Sequence, residues 1–575
     1  MPLITHRPCP PAAFHALEQA GLPPIWARLY AARDVRHTDE LAHRLPSLLP
    51  PEGLLHSAQA ATILADAIAQ QRRILILADY DADGATACAV GVRGLTLLGA
   101  RVEFMVPNRQ IHGYGLTPEI VALAAARAPD LIVTVDNGIA AVAGVAEATR
   151  HGIPVLVTDH HLPGDELPEA ACIVNPNQSG CGFASKHLAG VGVMFYVLLA
   201  TRAELRRRNH YAATPEPDLR VLLDLVALGT VADVVKLDAN NRILIEAGLA
   251  RMRAGKASAG VNALFRAAGR DPRRATVFDL GFMLGPRLNA AGRLDDMALG
   301  IDCLLADDPA VAQSLAQQLD SLNRSRREVE SDMLEEALAI LADFRSTDRA
   351  SLSAYQPGWH VGVIGILASR LKDKFHRPTV VFARSAQLDT APAGHKSGEL
   401  KGSGRSIPGL HLRDALDLID KRHPGLILKF GGHAMAAGLT LAADRETDFA
   451  EAFETVVREL IDPADLDGRI ETDGELDPTD HTYELAQALE QAVWGQGFPA
   501  PLFTGQFQVV TQRVVGEKHL KLKLSRDGQT FEAMHFFHAE PLPLRIHAVY
   551  ALMPNEYNGE CSLQLKLHHW EPLNA

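Results

Sequence analysis

The sequence predicts a multidomain α/β protein: a parallel-sheet domain, a long connecting helix, a second smaller α/β domain and a C-terminal β-barrel. Three observations carry this reading. Apolar runs alternate with alanine-rich helical segments from about 71 to 240. After Pro309 no Gly or Pro interrupts the chain as far as residue 344. Beyond about 461 the chain turns to alternating strands such as FQVVTQRVV and HLKLKLS. At 575 residues the chain is also far longer than one hydrophobic core usually serves.

Residues 1–70 begin Pro-rich (Pro8, Pro10, Pro11, Pro23, Pro24, Pro46, Pro50, Pro51) with short helical patches between. They are expected to form a lead-in packed on the parallel-sheet domain. Residues 71–308 carry the strands ILILA (74–78), VEFMV (102–106), LIVTV (131–135), PVLVT (154–158) and CIV (172–174). Helical segments lie between them, at 86–98 and 118–126. Strand and helix in alternation imply right-handed βαβ units and a sheet covered on both faces. Residues 309–345, with Leu315, Leu319, Leu322, Val329 and Met333 at mixed three-, four- and seven-residue steps, predict a helix of roughly 50 Å. Such a helix is expected to join two domains across a groove. Residues 346–460 form a glycine-rich second α/β region, and 461–575 an all-β region expected to close into a small barrel.

Composition narrows the function class. The chain is 47% apolar and 22% charged with only 6% aromatics, an ordinary globular balance. MPLITHRPCPPAAF has no basic start followed by an apolar core, and no uncharged apolar stretch reaches about 18 residues. No secretory signal or membrane span is expected, and the compartment expected is the cytoplasm. The six cysteines show no CxxC pairing and read as reduced thiols, mostly buried. The net charge of −13 by itself points away from nucleic acid, because a basic footprint normally accompanies it. A carboxylate cluster neutralised by bound metal, together with local basic stretches, softens that objection.

The chemistry sits at strand ends. Asp79, Asp81 and Asp83 follow ILILA as ADYDADG, and side chains two apart share a face while the chain stays extended. A set of helix N-caps is the alternative, since Asp caps well before ATACAVGV. LIVTV ends in Asp136-Asn137-Gly138, and VLVT ends in Asp159-His160-His161. Each alone reads as a turn or a structural pair. Together, all three acidic groups stand at carboxyl ends of parallel strands, where open α/β sheets place their sites. DLVALGTVADVVKL adds Asp224 and Asp233. Carboxylate oxygens with imidazole suit Mn²⁺ or Mg²⁺, and two ions about 3.5–4 Å apart suit phosphoryl displacement.

These blocks resemble the DHH phosphoesterases, named for the triplet Asp159-His160-His161. Beyond the superfamily, DYDADG, PNR…GYG (Pro107 to Arg109, Gly113 to Gly115), VDNGI, TDHH and LVALGTVADVVKLDANNR are similar to its branch that digests single-stranded DNA. So are GPRLNAAGR (285–293), LNRSRREVE (322–330), GSGRSIPG (402–409), FGGHAMAAG (430–438) and WGQGFPAPLF (494–503). The resemblance covers essentially the whole chain. It implies a DHH catalytic domain, a DHH-associated domain, an oligonucleotide-binding barrel, and digestion from the 5′ end to 5′-mononucleotides with Mn²⁺ or Mg²⁺. It implies metal ligation by Asp79, Asp81, Asp83, Asp136, His160 and Asp233, the first three divided between two positions in a way the sequence leaves open. Asp81 and Asp136 thereby join the catalytic set with His161, which would face the scissile phosphate and assist the departing oxygen. The expected setting is repair and recombination, acting as a monomer beside a single-stranded-DNA-binding protein and a helicase. One departure is visible: Ala78 stands where glycine is expected before the first Asp.

Moving along a strand also requires gripping phosphate. Arg109, Arg287, Asn289 and Arg293 are candidates near the catalytic residues, with interdomain salt bridges the alternative for Arg287 and Arg293. Ser403, Arg405 and His433 stand in glycine-rich loops that let backbone approach phosphate closely. Lys521 and Lys523 alternate with Leu520, Leu522 and Leu524, so the lysines share one strand face. That face is either a nucleic-acid groove or the solvated side of an edge strand. A phosphodiesterase for short oligonucleotides or cyclic dinucleotides, and a non-catalytic scaffold, are the rival readings.

Overall fold

The structure is a computed structural model that describes residues 2–108, 115–342, 344, 348–384, 398–557 and 559–573. The chain divides into two compact units, one of residues 6–322 and 472–575, the other of residues 1–5 and 323–471.

The larger unit holds a five-stranded parallel sheet. Its spatial order is Arg101–Met105, Arg73–Ala78, Leu131–Val135, Val155–Thr158, Cys172–Val174. The three central strands are buried along nearly their whole length, as expected of parallel strands covered on both faces. After Arg73–Ala78 the chain adds a strand on one side, then crosses to the other. That reversal puts the topological switch point between the carboxyl ends of Arg73–Ala78 and Leu131–Val135, where doubly wound sheets open a ligand crevice.

The barrel belongs to this same unit. Phe503–Val515, His519–Arg526, Gln529–His535, Glu560–Pro572 and Arg545–Tyr557 close on themselves, with the parallel pair Gln529–His535/Glu560–Pro572 completing the circuit. Lead-in, parallel-sheet layer and barrel share one continuous apolar core, which runs from Leu17 and Leu29 to Leu522 and Leu565. The joint is aromatic. Trp26, Tyr30, Trp494 and Phe498 stack at 5.4 to 6.4 Å, with Arg33 over Trp494 at 5.0 Å and Arg242 over Phe498 at 4.2 Å. Arg33 also donates two hydrogen bonds to Asp473, at 2.8 and 3.0 Å, with both side chains buried. WGQGFPAPLF is thus the seam between lead-in and barrel. The region beyond 461 is not purely β, since helix Tyr483–Gln491 precedes the barrel.

The smaller unit has a mixed sheet ordered Lys429–Gly432, Ala436–Ala442, Glu399–Arg405, Thr379–Arg384, Leu352–Tyr355. Only the last pair is parallel. The strand Leu3–His6 pairs with Arg469–Thr472. The long helix runs Pro309–Ile340, 32 residues, and the division between units falls within it. All six cysteines are free; Cys88, Cys172 and Cys303 are buried and Cys561 is exposed.

Candidate metal centre and active site

Each site residue is placed by the end of a regular element. Asp79 is the first residue past Arg73–Ala78 and is 5% exposed. Asp81 caps helix Ala82–Leu97, its Oδ1 accepting from the N–H groups of Asp83 (2.9 Å) and Gly84 (3.0 Å). The chain is therefore not extended through all three carboxylates: Asp83 lies in the first helical turn. Side-chain convergence comes from the strand-to-helix bend, and the capping role coexists with the clustering. Asp83 is fully buried and accepts from Gly190 N (2.6 Å) and Val191 N (2.9 Å), at the start of helix Gly190–Arg207. Asp136 follows Leu131–Val135 with φ +62°, a left-handed conformation uncommon for a non-glycine residue. Its N–H extends the sheet ladder to Thr158 O (3.0 Å), so the residue is fixed at both levels.

The DHH triplet is held by its own first member. Asp159 Oδ1 accepts from the N–H groups of His160 (2.7 Å) and His161 (3.1 Å) and from the His161 ring Nδ1 (2.8 Å), while Oδ2 accepts from Ile139 N (2.9 Å). Asn177 and Asn175 donate to the carbonyls of His160 (2.6 Å) and His161 (2.9 Å). His160 Nε2 reaches Asp136 Oδ1 at 3.1 Å, Asp233 Oδ2 at 3.6 Å and Asp83 Oδ2 at 3.8 Å. Asp233 is the residue after helix Leu223–Ala232.

Glycines permit this crowding. A Cβ at Gly84 would come within 2.6 Å of Asp79 O, one at Gly190 within 2.7 Å of Asp136 Oδ1, and one at Gly292 within 1.9 Å of Tyr80 O. A side chain at any of the three would push the carboxylates apart.

Three triplets bring one ligand atom each within 4.8 Å of one another: Asp79, Asp81 and Asp136; Asp83, His160 and Asp233; and Asp136, His160 and His161. The electrostatics are those of an anionic cluster in need of countercharge. Burial, reinforced by Asp81, pushes the Asp79 carboxyl up to about 7. Burial also raises Asp83, with Asp233 adding to it, and Asp136, with Asp83 adding to it. Asp233 is raised by burial as well, against the pull of His160. Asp159 goes the other way: burial opposes ionisation, yet the hydrogen bond and charge of His161 hold it below the usual range. Asp136 Oδ1 and His160 Nε2 are buried without any hydrogen-bond partner. Unsatisfied groups of this kind are rare and costly in a folded protein. A hard divalent cation would give such groups a partner, and this oxygen-rich donor set fits Mn²⁺ or Mg²⁺.

Beside the cluster lies a cavity of about 220 Å³ lined by Asp79, Tyr80, Asp81, His161, Asn289, Gly292 and Arg293. Asn289 Oδ1 accepts from Ala82 N (2.8 Å), joining helix Gly285–Leu294 to the acidic turn. Arg287 is set apart from these neighbours: its guanidinium is 6% exposed and pairs with Asp320 at 2.8 Å on the long helix, the salt-bridge alternative. Arg109 lies outside the described residues. Asp224 does not join the cluster; its Oδ2 accepts from Ser258 N (2.7 Å) ahead of helix Ala259–Ala267.

In the smaller unit, Ser403 and Arg405 share the accessible face of strand Glu399–Arg405, and Arg405 Nη1 donates to Ser403 Oγ (3.2 Å). A Cβ at Gly365 would stand 3.0 Å from both side chains, so helix Ile364–Phe375 begins against them. His433 lies in the turn between Lys429–Gly432 and Ala436–Ala442, its N–H donating to Ala436 O (2.8 Å). On the barrel, Leu520, Leu522 and Leu524 point inward and Lys521 and Lys523 outward. Lys521 is paired with Glu532 at 3.0 Å. Of the barrel aromatics, Phe531 is buried and Phe537 is 84% exposed. The basic run Arg206-Arg207-Arg208 is neutralised by Glu204, Glu216 and Asp66, a solvated helix face.

Sequence reasoning misses several contributors. Asp159 reads from the sequence as one more acidic strand end, whereas it is the anchor of both histidines. Tyr80, Asn175, Asn177 and the N–H groups of Gly190 and Val191 carry no local signal, because their partners are distant in sequence.

Residues 73–230 match the model of the DHH family, N-terminal domain, residues 349–459 that of the DHHA1 domain, and residues 472–569 that of the RecJ OB domain. The single-stranded-DNA-specific exonuclease RecJ of Dickeya dadantii is 51% identical over 96% of this chain and 97% of that protein. The protein of the same name from Escherichia coli K12 is 49% identical with the same coverage. The crystal structure of RecJ from Thermus thermophilus in complex with Mn²⁺ superposes with a TM-score of 0.82 at 30% identity, over 100% of this chain and 80% of that one.

Proposed function

Because the chain belongs to the RecJ family of single-stranded-DNA-specific exonucleases, we propose that it digests single-stranded DNA from the 5′ end and releases 5′-mononucleotides. The observation that carries the reaction is the pair of buried atoms, Asp136 Oδ1 and His160 Nε2, which face each other at 3.1 Å without a hydrogen bond at the centre of a carboxylate cluster. Two cations are the reading that best fits the triplets: one would be held by Asp79, Asp81 and Asp136, the other by Asp83, His160 and Asp233. Bound Mn²⁺ or Mg²⁺ would supply charge neutralisation, Lewis acidity toward the phosphoryl oxygens and a more acidic bound water.

The protein's own residues do the rest. Asp159 holds His161 by Nδ1 and leaves Nε2 for the cavity that the ring lines. That pairing orients the ring and stabilises its cation, as a buried carboxylate does for a catalytic histidine. His161 thus donates a proton toward the oxygen leaving the scissile phosphate. Arg293 and Asn289, on the same wall, position the phosphate and the acidic turn. Arg405, Ser403 and His433 grip phosphates of the strand through the smaller unit, and Lys521 and Lys523 through the barrel. Arg287 contributes by anchoring helix Gly285–Leu294 to Asp320.

Among the described residues no helix is long and apolar enough to cross a membrane. We expect a cytoplasmic monomer acting in repair and recombination beside a single-stranded-DNA-binding protein and a helicase. The experiment is digestion of DNA oligomers labelled at either end, with Mn²⁺ and with chelator. Mononucleotides from the 5′ end alone, and with metal alone, support the reading. Turnover of dinucleotides with no attack on long strands overturns it.

A further inference from the structure

A turn of π-helix, Asp279–Leu284, runs directly into helix Gly285–Leu294. Such turns are rare and concentrate at functional sites. Phe278 and Phe282 project from it, 53% and 66% exposed, and stack on each other at 5.0 Å between centroids and 18° between planes. Single exposed apolar residues need no explanation, but a stacked pair of bare phenyl rings presents a continuous aromatic surface.

Two observations say what such a surface meets. The first is its location. A Cβ at Gly281 would lie 3.3 Å from Val231 Cγ1, and one at Gly285 3.1 Å from Ala232 Cβ. The turn therefore packs on the last residues of the helix that delivers Asp233, and Val234, just beyond, is 63% exposed. The helix that continues from the turn supplies Asn289, Gly292 and Arg293 to the cavity. The aromatic pair thus stands on the element whose next helix lines the cavity. The second is charge. Of the arginines just before it, Arg270 pairs with Asp279 at 2.6 Å and Arg274 with Glu556 at 2.6 Å, while Arg273 between them is exposed. A strand passing here meets a broad π-face with one exposed guanidinium, that of Arg273, nearby in the chain.

We propose that Phe278 and Phe282 form a stacking platform for a nucleobase of the strand under digestion, outside the cavity that takes the scissile phosphate; this rests on the exonuclease reading above. Every base has a π-face, so the platform is indifferent to sequence. Bases of a duplex are already stacked on their neighbours, so the platform favours a single strand.

The test compares wild type with F278A/F282A on single-stranded oligomers, intact or carrying a short abasic stretch moved stepwise from the end where digestion starts. Wild type is expected to show a KM roughly ten-fold higher when the abasic stretch occupies the platform, in keeping with base–aromatic stacking. The double variant should show that higher KM on every substrate and no dependence on the abasic position, and F278W/F282W should restore the dependence. A thermal melt of each variant confirms that it folds. A double variant that keeps the wild-type KM and the wild-type response to the abasic stretch overturns the proposal. Failure of wild type to digest any single strand would instead strike the exonuclease reading.

Discussion

Gly190 offers a way to disturb the carboxylate cluster without removing a single carboxylate. Its N–H donates to Asp83 Oδ2 at 2.6 Å, and a Cβ placed on it would stand 2.7 Å from both Cβ and Oδ1 of Asp136. Carbon atoms meet comfortably at about 3.5–4.0 Å, so Asp136 or the start of helix Gly190–Arg207 must retreat by roughly 1 Å. Asp136 is tied into the sheet ladder through its N–H, and the helix start holds Asp83 through two N–H groups. Either movement separates the two carboxylates from their shared position. A displacement of about 1 Å at a reacting centre costs roughly 10²-fold in rate, while overpacking of this size costs about 1–3 kcal/mol of stability. Gly190→Ala should therefore lose about two orders of magnitude of Mn²⁺-dependent digestion while still unfolding cooperatively. Gly192→Ala is the control. Its nearest obstacle is Leu188 Cδ2 at 3.2 Å, the end of a buried side chain that must give by a few tenths of an ångström, and its nearest contacts include no carboxylate of the cluster. Digestion rate and thermal melting measured on both variants decide the matter. Wild-type activity in a properly folded Gly190→Ala protein refutes the argument that this glycine spaces the carboxylates.

Asp136→Asn should abolish digestion yet raise the melting temperature in chelator, because it removes one of several repelling buried carboxylates; a lower melting temperature there would show the carboxylate to be a structural asset. Mn²⁺ should stabilise the wild type, by about 2.7 kcal/mol at a hundred times its dissociation constant, and Asp136→Asn should lose most of that gain in the same melt. Asp473→Ala strands the buried Arg33 guanidinium at the seam of lead-in and barrel, and should cost about 3–5 kcal/mol in denaturant titration. His43 and His535 are held down at about 4 by burial, against an ordinary value of 6.5. A histidine depressed in the folded state contributes stability that is full above 6.5 and lost as pH falls toward 4. Measured against the wild type, which carries the same raised carboxyls of opposite sign, His43→Gln should lose less unfolding free energy between pH 7 and pH 5. Arg405→Ala should raise KM and lessen the salt dependence of binding, as loss of one phosphate contact does; an unchanged salt slope would remove Arg405 from the strand's path.

Local chemistry alone set much of this molecule. ILILA, LIVTV and VLVT are apolar throughout, and between helical segments such runs have few alternatives to buried parallel strands; the strands Arg73–Ala78, Leu131–Val135 and Val155–Thr158 stand where the runs do. Because carboxyl ends of such strands converge, Asp79, Asp136 and the DHH triplet were legible as one centre before any coordinates. The closed barrel and the 32-residue helix follow from periodicity in the same way. What the sequence could not settle depends on partners remote along the chain. Whether Arg287 faces substrate or Asp320 turns on how helix Gly285–Leu294 meets the long helix. That Asp224 anchors Ser258, while Asp233 nine residues later joins the carboxylate–histidine cluster, turns on which ends of one helix meet which neighbours. The glycines at 190 and 292 look like any others until the atoms a Cβ would strike are known. Patterning along the chain dictates which faces are buried, but the pairing of charges and the spacing of ligands are decided only when distant segments are packed against one another.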